Sequence, residues 1–441
     1  MLTTADIDEL VRPDLGRVHA SVYTDPQIFH EEIRRIFYRT WNYVGHESEV
    51  AEAGDYKTAY VGLVPVIVAR DEDRDLHVLV NRCVHRGPTV CQWESGNSSY
   101  FRCEYHGWTY RNDGRLVGVT LRNGYADAEF EGISQSLGRV PRVATYRGLI
   151  FACLDPGVES LEENLGIAKE YLDAWSDQSP TGNLVVTGGV WKRVYDGNWK
   201  LGLEGSAESY HARSLHKILG VMTEHRTGKP FRWTDSAQSG LANKDAGHGH
   251  AIIETLTEQT RTTMGDSDSS EYIAALNRRL GEERTREVLG RAFRLHLFPN
   301  VAFGPEHIRV FRPIAADRTE VRQYHVALPD IAGVTEETNR QRVRNHQQLY
   351  GPAGYVGEDD FEIFSRAQEG LGGNDWDQLN PWVWFSRGAS RANRGPDGEL
   401  VTEDQTETAQ RAIYRAWVVL MQRGVESGRA GTPMNDRGVP A

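Results

Sequence analysis

Cysteine is scarce in this chain, with four residues among 441: Cys83, Cys91, Cys103 and Cys153. A secreted domain that relies on disulfides would carry more of them for its size, so that class is excluded. So few thiols are better explained as metal ligands or as small buried hydrophobes. A reducing compartment suits such thiols, and we therefore expect a cytoplasmic protein.

The chain also lacks a positive charge excess and any long apolar run. Its 50 Lys and Arg against 62 Asp and Glu give a formal charge of −12. Non-specific binding to nucleic acid or to an anionic membrane needs a basic surface, so neither partner is expected. No apolar stretch is long enough to cross a bilayer. The start, MLTTADIDELVRP, is too acidic and polar for a secretory signal.

A GxGxxG motif after a predicted strand is also missing, which predicts that the chain has no nicotinamide or flavin site of its own. Any electrons it uses must then come from a separate protein. No internal repeat or low-complexity linker divides the sequence.

The texture of the sequence changes twice along the chain, which predicts three regions. Residues 1–40 are predicted to be helical, because TDPQIFHEEIRRIFYRTW carries apolar residues at helical spacing. Residues 41–155 hold short runs such as YKTAYVG and VPVIVAR between Gly, Asp and Pro, which predicts an all-β domain. Residues 156–441 mix long candidate strands with long helical periods. That mixture indicates an α+β domain with helices packed on one face of an antiparallel sheet.

In the third region the candidate strands are GNLVVTGGVWKRVY, AIIETLT, VAFGPEHIRVFRPI and EVRQYHVAL. The candidate helices are SEYIAALNRRLGEERTREVLGRAF and EDQTETAQRAIYRAWVVLMQRG. The last residues, GTPMNDRGVPA, are expected to form a frayed tail.

The first group of candidate ligands is Cys83-x-His85 followed by Cys103-x-x-His106. Each half is a short loop that can direct one thiolate and one imidazole at a common centre. Two Cys and two His also suit a tetrahedral zinc site. The alternation of Cys with His favours a two-iron, two-sulfur cluster, in which one iron takes both thiolates and the other both imidazoles.

The second group lies in NWKLGLEGSAESYHARSLH and comprises Glu204, Glu208, His211 and His216. On a regular helix the first three share one face. His216 lies about 140° around the helix from His211, so both imidazoles can reach one metal only if the helix breaks or widens between them. Two imidazoles and one carboxylate form the facial triad of non-haem iron(II) oxygenases.

The carboxylate of such a triad must come from elsewhere in the chain. GPAGYVGEDDFEIF offers Glu358, Asp359 and Asp360 at the start of a predicted helix. The helix dipole alone also favours acidic residues in a first turn. The local sequence therefore leaves a structural role and a ligand role both open.

These residues resemble the motifs of the Rieske non-haem iron oxygenases that hydroxylate aromatic rings, in particular of their catalytic α subunit. The matching segments are His85-Arg86-Gly87, Tyr105-His106-Gly107-Trp108, Asn198-Trp199-Lys200, Glu204, Tyr210-His211 and His216. The resemblance extends from about residue 18 to about residue 420. It implies that the all-β Rieske domain is inserted into a helix-grip catalytic domain, on which residues 1–40 pack.

The resemblance also implies what each residue does. Cys83, His85, Cys103 and His106 are expected to hold a [2Fe-2S] Rieske cluster, and His211, His216 and Asp360 a mononuclear Fe(II), with Asp359 as the alternative to Asp360. Catalytic roles fall to Glu208, Asn198 and Tyr210, and the pocket is expected to include Gly205, Tyr350 and Val356.

Two positions depart from the family pattern. Relatives usually carry Asp where this chain has Glu208, so the bridge from His211 to a cluster histidine of the next subunit must absorb an extra methylene. Many relatives carry a pocket Asn where this chain has Gly205, which predicts a roomier pocket at that point.

The implied reaction uses O2 and electrons from NAD(P)H, delivered by a partner reductase with or without a ferredoxin. It gives a dihydroxylated or a monohydroxylated ring. The implied assembly is a homotrimer, with or without three small β subunits. The Glu-x-x-x-Glu-x-Tyr-His spacing and the general pattern of the sequence most resemble the oxygenases that act on benzoate, salicylate and terephthalate. An aromatic carboxylate would need a cation, for which Arg213, Lys217 and Arg309 are available, although each is also explained as an ordinary surface charge.

Several residues and two other protein classes remain as alternatives. Cys91 and Cys153 lie outside the cluster pattern and are interpreted as structural, and His248 and His250 are interpreted as part of a Gly-rich surface turn rather than as ligands. A Rieske protein that only carries electrons would leave the second site empty. A zinc-stabilised binding protein would be colourless.

Overall fold

The N-terminal region, which precedes the β-rich region, packs against the last helix of the chain. The structure, a computed structural model, describes residues 2–131, 135–230, 241–255, 270–373, 376, 378–403 and 405–429. The predicted tail GTPMNDRGVPA lies outside these residues. The first region contains helices Thr4–Leu10, Ser21–Thr24 and Pro26–Glu32, a 3₁₀ turn Pro13–Leu15, a π-helical turn Ile33–Phe37, and strands Val11–Arg12 and Arg17–His19. Asp25 caps its third helix by accepting hydrogen bonds from the N–H groups of Gln27 and Ile28.

The second region is built of short antiparallel strands, as the alternating runs predict. They are Asn42–His46, Asp55–Val61, Val64–Arg70, Leu76–Val80, Ser95–Asn97, Tyr100–Arg102, Thr109–Arg111, Leu116–Gly118, Arg142–Tyr146 and Leu149–Cys153. Short helical turns interrupt them at Glu47–Glu49, Arg122–Gly124 and Asp127–Glu131. The first strand pairs with the last, so both ends of this region leave it at the same place.

The third region is organised on a nine-stranded antiparallel sheet, which we call the central sheet. Its strands, in spatial order, are Val185–Tyr195, Arg318–Ala327, His307–Ala315, Val301–Phe303, Ala292–Leu297, Ala251–Thr255, Leu241–Asp245, Leu400–Glu403 and Asn393–Arg394. A separate strand, Trp382–Trp384, joins the two short N-terminal strands instead.

The helices of the third region pack on both sides of the central sheet, which corrects the expectation that they cover only one of its faces. They are Leu161–Leu165, Ala168–Asp177, Trp199–Ser206, Ala212–Leu215, Lys217–Thr227, Ser270–Leu280, Glu282–Gly290, Glu336–Tyr350, Gly357–Gly372 and Thr408–Arg429, with a 3₁₀ turn Ala389–Arg391. No helix within these described ranges is long and apolar enough to span a bilayer.

Two hydrophobic cores lie against opposite faces of the central sheet. One joins the N-terminal helices to Trp199, Phe311, Phe361 and Trp417. The other joins the helix Ala168–Asp177 to the strands that begin and end the second region. The α+β fold class is confirmed, whereas the residue limits of the three regions stay predictions.

A buried ion pair ties the N-terminal region to the third region. Lys200 Nζ lies 2.6 Å from Glu32 Oε1, and neither side chain has any exposed surface. The indoles of Trp199 and Trp417 donate to the same carboxylate at 2.8 and 2.7 Å. Helices from three distant parts of the chain therefore share one carboxylate.

The structure corrects the predicted helix over residues 270–293. Gly281 adopts φ +80° and divides it into Ser270–Leu280 and Glu282–Gly290. The strand Ala292–Leu297 begins two residues after Gly290 and pairs with Ala251–Thr255. Helical spacing at the start of AFRLHL was therefore overridden by pairing with a distant strand.

Candidate metal centres

Two loops of the same shape present the four predicted cluster ligands. In each loop a cysteine carbonyl accepts a hydrogen bond from a glycine N–H four residues later, Gly87 to Cys83 at 2.9 Å and Gly107 to Cys103 at 2.8 Å. Both glycines have positive φ, +85° and +70°, a conformation that residues with a side chain adopt only with strain. The two loops are therefore copies of one turn, which the sequence motif anticipates.

The two histidines of these loops lie close together. The rings of His85 and His106 lie 4.7 Å apart between centroids, and His85 stacks on Trp108. His85 Nδ1 is buried without a hydrogen-bond partner among the described residues. Cys83 and Cys103 are both free and buried. A buried unpartnered ring nitrogen beside two free thiols fits an iron–sulfur cluster.

The second centre is formed by His211, His216 and Asp360. One nitrogen of each ring and one carboxylate oxygen all lie within 4.8 Å of one another. Asp360 Oδ1 is 3.0 Å from His216 Nε2 and 3.6 Å from His211 Nε2. His216 Nε2 is buried without a hydrogen bond, so its lone pair is available to a metal ion held together with the carboxylate. Such a set suits one iron ion.

Each histidine of this centre carries a second carboxylate on the opposite side of its ring. Glu208 contacts His211 Nδ1 and also accepts from the His211 N–H at 3.1 Å. Asp359 Oδ2 lies 3.4 Å from His216 Nδ1. A carboxylate on Nδ1 fixes the proton there and leaves Nε2 free as a ligand. Sequence reasoning offered Asp359 only as an alternative ligand and missed this role.

The chain reaches both histidines by breaking the helix twice. The helix that begins at Trp199 ends at Ser206, and a short helix, Ala212–Leu215, follows. His216 then adopts φ −97° and ψ +41°, outside the helical region, before the next helix starts at Lys217. The predicted break between His211 and His216 is present, but it is a kink at His216 and not a π-type bulge.

Glu204 does not share a face with Glu208 and His211, which corrects the regular-helix expectation. Its carboxylate accepts hydrogen bonds from Tyr23 at 3.0 Å and from Tyr414. Burial raises the pKa of Glu204 to about 7, although these two hydroxyls act in the opposite direction. Glu204 therefore belongs to the hydrophobic core and not to the metal centre.

Asn198 and Tyr210 are held by contacts away from the centre. Asn198 caps the helix Trp199–Ser206 by accepting from the Lys200 N–H, and its amide donates to the carbonyls of Tyr23 and Ala316. The Tyr210 hydroxyl donates to Glu407 at 2.6 Å. Both side chains are held by hydrogen bonds within the protein, and their catalytic role stays a prediction.

The expectation of extra room at Gly205 is wrong, whereas its place in the pocket stays a prediction. A Cβ added at Gly205 would lie 2.6 Å from the ring of Phe364. The missing side chain is thus replaced by a phenyl group from the helix Gly357–Gly372, and no extra room results. Val356 is buried at the start of that helix. Tyr350 packs on His307, with ring centroids 4.7 Å apart.

The three candidate cations have different surroundings. Arg213 and Lys217 are exposed, as ordinary surface charges would be. Arg309 is 6% exposed, which the sequence alone could not indicate because the residues that bury it are distant in the chain.

The remaining structural expectations have mixed outcomes. His248 is exposed and has φ +51°, as a surface turn predicts. His250 is buried and accepts from the Phe298 N–H at 3.1 Å, so the surface interpretation was wrong for it. Cys91 and Cys153 lie in two separate hydrophobic cores, which agrees with a structural role.

Comparison with known proteins identifies the family. Residues 182–433 match the model of the ring hydroxylating alpha subunit (catalytic domain), and residues 40–129 match the Rieske [2Fe-2S] domain. The chain belongs to the ring-hydroxylating oxygenase α subunits. It is therefore an oxidoreductase with one Rieske cluster and one mononuclear iron, and its electrons come from a partner reductase.

Individual relatives resemble this α subunit over most of its length. The 2-halobenzoate 1,2-dioxygenase large subunit of Burkholderia cepacia is 33% identical, over 93% of this chain and 90% of the relative. The toluate 1,2-dioxygenase subunit alpha of Pseudomonas putida is 34% identical, over 89% and 86%. A crystal structure of naphthalene 1,2-dioxygenase from Rhodococcus sp. bound to indole has a TM-score of 0.80 at 30% identity, covering 96% of this chain and 99% of that one.

Proposed function

We propose that this α subunit is the terminal oxygenase for an aromatic carboxylic acid, which it dihydroxylates or monohydroxylates on the ring. The observation that carries the proposal is the convergence of His211, His216 and Asp360 on one position. Halobenzoate and toluate, the substrates in the names of two relatives, are aromatic carboxylates. That shared chemistry supports an acid as the substrate here.

His211, His216 and Asp360 are proposed as the iron ligands, and Cys83, His85, Cys103 and His106 as the cluster ligands. Bound at the first set, iron supplies the activation of O2. The protein's part is to hold the ligand atoms in place. Glu208 and Asp359 do so by keeping a proton on each Nδ1, so that both Nε2 atoms point at the metal.

Glu208 is further proposed to bridge His211 to a cluster histidine of a neighbouring subunit. The contact requires a head-to-tail arrangement, which closes into a homotrimer when the rotation is threefold. The exposed ring of Tyr105 lies against His106, 3.8 Å between centroids, and supports a protein contact at this end of the cluster. Three small β subunits could complete the assembly without altering this bridge.

A cytoplasmic location is proposed as well. All four cysteines are free and buried, and thiols in that state suit a reducing compartment. The electron donor is proposed to be a reductase, used with or without a ferredoxin, that draws on NAD(P)H.

Iron analysis of two alanine variants tests the ligand assignment. We expect three irons per chain in the wild type, two from the cluster and one from the triad. Asp360→Ala should fall to two with an unchanged visible spectrum and no product, because a ligand to the single iron is lost. Asp359→Ala should keep three irons when Fe(II) is saturating, since loss of such an outer partner weakens metal binding only about 10- to 100-fold.

The opposite pattern, with iron lost from Asp359→Ala and kept by Asp360→Ala, would overturn the assignment. Two irons in the wild type would leave only electron transfer as a function. A product screen over benzoate, salicylate, terephthalate and neutral arenes, with a surrogate reductase, tests the substrate class. Turnover of neutral arenes alone would contradict the proposal of an acid.

A further inference from the structure

One face of the central sheet carries a patch of polar side chains beneath the metal centre. Arg309 pairs with Gln323 across two neighbouring strands, and His307 pairs with His325 in the next row on the same face. The residues between them, such as Ile308 and Tyr324, point to the other face and into a hydrophobic core. The polar patch is therefore a property of one face only.

The ends of the two helices that precede the iron-ligand segments cover this patch. Ser206, at the end of the helix that leads towards His211, accepts from Arg309 Nη1 at 3.3 Å. Tyr350 lies 5.1 Å from the Arg309 guanidinium carbon and precedes the helix that carries Asp360. Arg309 thus lies between the sheet and the segments that present the metal ligands.

Arg309 forms no ion pair among the described residues. Burial lowers its pKa, and the nearby Tyr350 and Asp360 offset that effect only in part. Its other hydrogen bond runs from Nε to Gln323 Oε1 at 3.2 Å. Two of its N–H groups are therefore used, and the remaining guanidinium N–H groups have no partner among the described residues. Neighbouring arginines of the same sheet are paired, Arg312 with Glu320 at 3.4 Å and Arg322 with Glu320 at 2.5 Å. A buried charge that makes no direct ion pair is costly, which points to a functional reason.

Other buried polar atoms around Arg309 also lack partners in the described part of the chain. Both ring nitrogens of His296 and of His325 are unpartnered, as is Nδ1 of His307 and of His346. Burial, with neighbouring positive charges, lowers the pKa of His296 to about 3 and those of His325 and His346 to about 4, and it holds the pKa of His307 well below its ordinary value. These rings are therefore neutral near pH 7, and the arginines supply the positive charge of the patch. Buried polar groups without protein partners are usually satisfied by water or by a ligand.

Arg294 adds a second cation at the edge of the patch. It lies on the neighbouring strand Ala292–Leu297, two residues from His296, and therefore on the same face. Its Nη2 is 3.5 Å from the Tyr350 hydroxyl, and it too has no ion-pair partner among the residues described. Two unpaired arginines separated by one tyrosine ring can receive a single carboxylate.

We propose that Arg309, assisted by Arg294 and Tyr350, binds the carboxylate of the aromatic acid and so directs its ring at the iron ligands. The inference rests on the proposed function, because it names the residue that recognises that substrate class. A planar guanidinium fork matches a carboxylate in bidentate geometry. Specificity for acids over neutral arenes then follows, since a neutral ring would leave the fork without a partner.

Equilibrium dialysis of the purified holoenzyme against labelled benzoate and nitrobenzene tests the proposal. Nitrobenzene has the shape of benzoate without its charge. Arg309→Gln should weaken benzoate binding about 100-fold, the size expected for a lost charge-assisted pair in a buried site. Nitrobenzene binding should change less than about threefold, because nitrobenzene has no charge to pair with Arg309. Arg309→Lys, which keeps the charge but not the fork, should lie between the wild type and Arg309→Gln.

Arg318→Gln is the matched control, because Arg318 is exposed at the turn of the same strand pair. It should bind both ligands like the wild type. Unchanged benzoate binding in Arg309→Gln would overturn the proposal, and so would an equal loss for both ligands, which would mean general damage to the pocket. Iron content and product formation are measured separately. If the wild type turns over benzoate and Arg309→Gln leaves benzoate binding unchanged, this inference is refuted and the proposed function stands.

Discussion

Removing one partner of the buried pair between Glu32 and Lys200 should destabilise the catalytic domain strongly. In Glu32→Leu, Lys200 would keep its charge in a site with no exposed surface, and the indoles of Trp199 and Trp417 would lose their acceptor. Breaking a buried pair from one side costs about 3–5 kcal/mol. For a domain of roughly 300 residues this corresponds to a fall in Tm of about 5–8 °C.

The assay is urea and thermal unfolding followed by tryptophan fluorescence and circular dichroism. The double variant Glu32→Leu with Lys200→Met should recover most of the loss, because no uncompensated charge is then buried. Glu362→Leu is the control, since Glu362 forms an exposed pair with Arg366, and such pairs contribute less than about 1 kcal/mol. A cost below about 1 kcal/mol for Glu32→Leu, or a double variant no more stable than Glu32→Leu alone, would refute the reasoning.

Two further predictions concern the helix that leads to the iron site. Gly205→Ala should cost about 1–3 kcal/mol of unfolding free energy in a urea titration, because its Cβ meets Phe364 at 2.6 Å. Gly370→Ala is the control, since Gly370 lies in an open helical position; it should be neutral or stabilising by up to about 1 kcal/mol. The pKa of Glu204 is raised by burial to about 7, so the folded protein binds its proton more tightly than the unfolded chain does. Stability should therefore fall as pH rises from about 4.5 to 7, by up to about 3 kcal/mol. Glu204→Gln should lack this part of the decline, and parallel pH profiles for the two proteins would contradict the assignment.

The cluster loops could be anticipated from sequence because their geometry is local. Cys83 and Gly87 lie within one turn, as do Cys103 and Gly107, and each turn contains the backbone bond that shapes it. The helical break before His216 was anticipated for a similar reason, since the angle between two residues on a helix follows from their spacing alone.

Features that depend on distant partners could not be anticipated. The helix near Glu204 ends at Ser206, and the Glu204 side chain turns to Tyr23 and Tyr414, which lie about 180 and 210 positions away. The expected space at Gly205 is filled by Phe364. The burial of Arg309 depends on Ser206 and Gln323. No local pattern carries such information, because side chains from separate elements compete for the same volume only after the chain has folded.

The shared carboxylate of Glu32 also has a consequence for the order of folding during synthesis. The core around it needs Trp417, in the helix Thr408–Arg429, whereas the strands that carry the cysteine loops are complete once residue 153 has been made. At about 5–20 residues per second, the ribosome needs roughly 15–55 s to cover the difference. The β-rich region can therefore form while the catalytic core is still unfinished, which leaves an interval for cluster assembly before the core closes.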